Sequence, residues 1–144
     1  MNAAVTISGP ALPAIELMLS SACARAGVLG VKANIAIVDG GGNLAGFIRM
    51  PGAFLSSADL AIDKAYTAAS FSMSTRGFGI LLAGSSRAVR EGLLRRPRLT
   101  EVPGGVALEL DGQAAGGLGV SGGSEEQDED IAAYASAAMT PGRG

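Results

Sequence analysis

The chain has 144 residues, a net charge of −2, 22 glycines, one cysteine, no tryptophan and no histidine. This length predicts one domain over 1–144 with a single sizeable core, and the charge gives no drive toward nucleic acid or an anionic membrane. Without histidine the usual neutral-pH proton shuttle and the commonest metal ligand are gone, so no metal site is expected. The lone Cys23 excludes an internal disulfide and fits a cytoplasmic chain.

Residues 1–9 read as a short arm or an edge strand. No apolar run reaches the roughly 18–20 residues of a membrane span, and no basic segment followed by an apolar core marks a signal peptide. Pro10 and Pro13 suit a helix start, and a helix is predicted over 14–26, ended by Gly27 and Gly30. Ile15, Met18, Leu19, Ala22, Cys23 and Ala26 recur at i, i+3, i+4 spacing, so Cys23 is expected as a buried structural thiol.

Residues 31–38 alternate toward Asp39, pass through GGGN and return over 44–50, a hairpin with a glycine-rich turn closed by Pro51. The next helix runs from 56 or 57 to 72, with Ser56 or Ser57 as cap and Asp59 in the first turn. Ala61, Ala65, Ala68 and Ser72 make a stripe of small side chains for close approach to a sheet or a partner subunit. Lys64 lies beside this stripe and is either a solvated lysine or a desolvated functional one. Residues 75–83 read as a looser apolar helix or turn, and 85–94 as a short helix. Arg87, Arg90, Arg95, Arg96 and Arg98 form a basic cluster without interleaved aromatics. That composition fits a solvated face, or ion pairs to an acidic C-terminal helix, better than nucleic acid.

Residues 104–131 carry the densest information. Two apolar runs flank Asp111-Gly112, the dipeptide favoured in a type I′ turn. The second run enters a glycine-rich corner and then a helix over 125–139. Ser124 and Gln127 have capping-box spacing and acids fill the first turn. Ile131, Tyr134, Ala135 and Ala138 are its expected buried face, and 140–144 a frayed tail. Gly117, Gly119 and Gly122 satisfy G-x-G-x-x-G, but only 22 residues follow Gly122 and acids crowd the helix start. A dinucleotide site needs a parallel crossover, a further strand and positive potential there. The glycines instead predict a bent strand and close backbone packing.

With these segments in order, the chain resembles the GlcG/HbpS family, formerly a domain of unknown function, which includes the C-terminal domain of PduO-type proteins. The matching strings are IAIVDGGGNLAGFIRMPGA, AIDKAYTAASFSMST and GGVALELDGQAAGGLGVSGGSEEQDEDIA, together most of residues 34–133. The resemblance implies an α+β fold: a central antiparallel sheet of about five strands with helices packed on both sides, a three-layer α-β-α arrangement in symmetric homo-oligomers. It implies a small-molecule ligand in an intersubunit or sheet-edge pocket, with haem among the candidates. Two departures stand out. Ala107-Leu108 follows Gly104-Gly105-Val106 where the family commonly has proline and isoleucine, and haem would need a threonine, tyrosine or methionine ligand in place of histidine.

The family's ionisable motif positions are Asp39, Arg49, Lys64 and Asp128. Asp39 and Asp128 can serve as a base or simply accept backbone bonds in the turn and helix cap. Arg49 can anchor a carboxylate or pair with Asp39 or Asp128. Lys64 can act as a base or Schiff-base former if desolvated. Tyr66, Thr67 and Ser121 complete the candidate ligand-binding set. Three functions compete: a binding module for an organic metabolite such as a tetrapyrrole, a cofactor-free isomerase, lyase or cyclase built on Lys64, Asp39 and Asp128, or a purely structural scaffold with no ligand.

Overall fold

The computed structural model describes residues 3–139. The elements are α1 (Leu12–Leu29), β1 (Asn34–Val38), β2 (Leu44–Arg49), α2 (Ser57–Phe71), α3 (Thr75–Ala83), α4 (Arg87–Leu94), β3 (Gly105–Leu110), β4 (Gln113–Ser121) and α5 (Glu125–Ala137). The strands form one antiparallel sheet in the order β2-β1-β4-β3. Helices α1 and α5 cover one face and α2 the other. The chain is therefore α+β in three layers. The sheet has four strands among the described residues, one fewer than expected, because residues 3–9 pair with no strand. They cross the β1–β2 turn instead, where the Gly40 N–H donates to the Ser8 carbonyl at 2.7 Å. The tail expected over 140–144 lies outside the described residues.

Glycine and alanine set the spacing of the upper layer. Ala36 pairs with Gly119, Val38 with Gly117, and Gly105 with Gly119 from the other side. On this face a Cβ at Gly117 or Gly119 would land on the carbonyl oxygen of Ala65 or Ala61, and one at Gly105 would lie 2.6 Å from that of Lys64. The fully buried Ala61, Ala65 and Ala68 of α2 face these glycines, so the helix backbone rests on the strand backbone. The G-x-G string is thus a seat for a helix, and the sheet is the surface that the alanine stripe meets. On the opposite face Ile35, Ile37, Leu118, Val120 and Leu108 form the larger cluster with Met18, Ala22 and Ala26 of α1 and Ile131 and Ala135 of α5.

Local signals account for the element ends. Asp111 (φ 51°) and Gly112 (φ 76°) both take the positive φ of a type I′ turn. Ser124 and Gln127 form the reciprocal capping box. Ser74 and Ser86 cap α3 and α4, and α3 is a regular helix despite its glycines. At α2 Ser56 occupies the cap position without a side-chain bond. Helix α1 extends beyond 14–26 at both ends, with proline in its first turn and Gly30 (φ 71°) closing it; Gly27 is absorbed inside. At 18 residues and a mean hydropathy of 1.3, α1 is long and apolar enough to cross a membrane by length and composition, contrary to the sequence reading. In the fold its Ile15, Met18, Ala22 and Ala26 are buried in the core.

Three further expectations are corrected. Cys23 is half-buried at the margin of the core, and burial pushes its thiol pKa up. Tyr134 is 54% exposed, its ring against the outside of α1 under the Arg25 guanidinium at 5.5 Å. The arginine cluster does not reach the acidic helix: Arg87 and Arg95 pair with Glu91, and Arg90 with Glu101. That helix is met by Arg25, on Asp130 at 2.6 Å, and by Arg76, on Glu125 and Glu129.

Candidate functional site

Strand register divides the candidate residues into two groups. Arg49 pairs with Asn34, and Asn34 with Ser121, so these three form a row at one end of the sheet. Asp39 follows Val38 at the other end of β1, in the turn to β2. Arg49 and Asp39 therefore stand a strand's length apart and form no ion pair; nor does Arg49 pair with Asp128 among the described residues.

The first group includes a buried ion pair. Lys64 is 1% exposed, and its Nζ donates to the Val120 carbonyl at 2.8 Å and to Asp128 Oδ2 at 3.2 Å. Asp128 Oδ1 accepts the Gly123 N–H at 2.8 Å, so one carboxylate ties α2 to the glycine corner before α5. Burial pushes the Lys64 pKa below the ordinary lysine value, while Asp128, Glu125 and Glu129 pull it up. Gly104 is the near wall: a Cβ there would lie 2.9 Å from Nζ. Lys64 is desolvated, as one of the two sequence readings required, and it is enclosed by protein. Ser121 is buried in the row with Asn34, whose Nδ2 donates to the Phe54 carbonyl at 3.1 Å and whose Oδ1 has no partner.

The second group opens to solvent. Asp39 closes its turn by accepting the N–H groups of Gly41 (2.9 Å) and Asn43 (3.0 Å) and the Asn43 amide. The Asn43 N–H is foremost in holding its carboxyl below the usual range. Gly42, with φ 81°, packs on Tyr66, where a Cβ would meet Cε2 at 2.8 Å. The Arg98 guanidinium lies 3.7 Å from the Tyr66 ring centroid and donates to the Gly42 carbonyl at 3.1 Å. Thr67 Oγ1 donates to the Arg98 carbonyl and accepts the Thr100 N–H, both at 3.0 Å, so Thr67 fixes the loop that carries Arg98. Arg98 holds φ 75°, a left-handed conformation that costs a non-glycine residue about 1–3 kcal/mol.

Tyr66, Ser70, Phe71, Pro97, Leu99 and the two arginines 96 and 98 line a groove of 490 Å³. This size lies within the roughly 300–1,000 Å³ of ligand pockets. Of the sequence candidates only Tyr66 lines it. Arg96, Arg98 and Phe71 were missed as site residues. The arginines were visible as part of a basic cluster, but nothing in their spacing separated the groove-facing pair from those that make ion pairs. Half-buried Asp63, one turn before Tyr66, has its carboxyl pKa raised by burial, against the opposing pull of Arg98.

A family model described as haem degrading protein HbpS-like matches residues 12–137. The chain is 41% identical over 129 residues to the corrinoid adenosyltransferase PduO of Salmonella typhimurium, covering 89% of this chain and 38% of PduO. It thus spans well under half of that relative. Among solved structures, Klebsiella pneumoniae protein ORFY superposes with a TM-score of 0.89 at 29% identity over 99% of both chains. A PduOC:haem complex superposes at 0.83 with 37% identity, over 90% of this chain and 94% of that one. The motif strings, the three-layer fold and these matches agree, and the chain belongs to the HbpS-like family.

Proposed function

We propose that this protein binds a small planar organic ligand of the tetrapyrrole class in the groove beside Tyr66. The observation that carries this reading is the groove itself, lined by apolar Phe71, Pro97 and Leu99 together with two arginines. A haem-class ligand has that same division, a flat apolar body with carboxylates at one edge. The 37% identical neighbour crystallised with haem and the haem-degrading description of the family support the choice of ligand.

The residues present fit such a group without histidine. Tyr66 is a lining residue of a type known to ligate haem iron. When bound, haem would supply a redox-active iron. The chain's own part is to hold the ring against the apolar wall, offer the Tyr66 phenol and neutralise the carboxylates.

Titration with haem is expected to give a saturable Soret shift with one equivalent per chain. Tyr66→Phe is expected to change the spectrum of the bound form while keeping the melting temperature. Non-saturable binding, or a spectrum and affinity unchanged in Tyr66→Phe, would remove haem from this groove.

A further inference from the structure

We infer that the groove selects its ligand through carboxylates, read by Arg96 and Arg98, and not through a metal. The inference deepens the tetrapyrrole reading and rests on the same groove.

The distribution of charge carries it. Five arginines fall between 87 and 98. Arg90 pairs with Glu101, and Arg87 and Arg95 share Glu91. Arg96 and Arg98 line the groove, and among the described residues no carboxylate lies within ion-pair distance of either. Arg96 and Arg98 are thus the two members without a carboxylate at ion-pair distance, both beside an apolar wall, with Asp63 the one carboxylate whose ionisation Arg98 favours from farther off. A guanidinium in that setting favours a carboxylate, which it can meet with two parallel N–H bonds.

Arg98 is also held in advance. Its ring stack on Tyr66, its bond to the Gly42 carbonyl and the Thr67 clamp on its own carbonyl fix side chain and backbone together. These contacts hold it at a φ that arginine seldom adopts. Strain retained at an exposed position, where glycine would have relieved it, points to a use for the side chain. Pre-ordering a long side chain lowers the entropy lost when it binds an anion.

The test compares metal-free protoporphyrin, its iron complex and its dimethyl ester on the full chain, by fluorescence quenching and absorbance. The diacid and its iron complex are expected to bind within about three-fold of each other, and the ester about ten-fold or more weaker. Arg96→Ala and Arg98→Gly should each lower the ratio of diacid to ester affinity about ten-fold. Glycine is chosen at 98 because it accepts the left-handed backbone, and among the described residues Arg96 makes no ion pair that the variant would break. Equal binding of diacid and ester, or variants that leave their ratio unchanged, overturns the inference even if haem binds. If no porphyrin binds, the tetrapyrrole reading fails and naphthalene-2,6-dicarboxylate against its diamide decides the carboxylate question by NMR. Shifts at the groove with the diacid alone, lost in Arg98→Gly, uphold it. No preference between the two, or no binding of either, overturns it.

Discussion

At position 64 the chain places a lysine under its upper helix and gives it two partners, the Val120 carbonyl and Asp128. Breaking a buried pair costs more than the pair contributes, because the remaining charge is left unpaired. Lys64→Met is therefore expected to lose about 3–5 kcal/mol in urea denaturation, with the Asp128 carboxylate left only the Gly123 N–H. The pH dependence follows from burial. In the folded chain the Lys64 pKa lies below 10.5, so between that lowered value and the ordinary range near 10.4 the unfolded chain holds more protons. Stability contributed by this group must rise with pH across that window. The rise in urea midpoint across that window should be smaller in Lys64→Met than in the parent; an identical slope would assign it to other groups. The sequence left Lys64 open between solvated and buried because both Asp128 and Val120 lie more than 50 residues away, and local spacing carries no information about them.

At the scale of elements, backbone contact between α2 and β4 governs the architecture. Gly119→Ala would drive a methyl group into the Ala61 carbonyl, and neither backbone can move without opening the layer. The expected loss is about 3 kcal/mol, at the upper end for overpacking. Gly92→Ala is the control. It lies in α4 with nothing within 4 Å of a new Cβ, so it should raise stability by about 0.4–1 kcal/mol through helix propensity and a less free unfolded chain. Thermal and urea unfolding of the two variants check both signs. Much of this layer was legible in the sequence. The glycines predicted close packing and the alanine stripe predicted a close-approach surface, but the stripe's partner, sheet or second subunit, was left open. Only strand register shows that Gly117 and Gly119 face the same side as Ala36 and Val38.

Considered as a whole, the molecule leaves apolar side chains exposed in several places, the α3–α4 flank among them. Helix α4 has no buried residue, and Ile80, Leu81 and Val89 on α3 and α4 are 70%, 47% and 48% exposed. We expect a second copy to cover this flank in a homo-oligomer. Light scattering should then give a multiple of 14.3 kDa, reduced by Ile80→Glu with Val89→Glu; a monomeric parent chain would end that expectation. The sequence by itself determined the order of the elements, the type I′ turn at Asp111-Gly112, the capping box and the family. Each depends on residues a few positions apart, where backbone geometry ties spacing directly to structure. The site was decided by tertiary structure. Tyr66 meets Arg98 and Gly42 from two other segments, Lys64 meets Asp128, and Arg49 and Asp39 part to opposite ends of the β1–β2 hairpin. Those pairings follow from how the layers pack and how the strands register, which chain spacing does not encode.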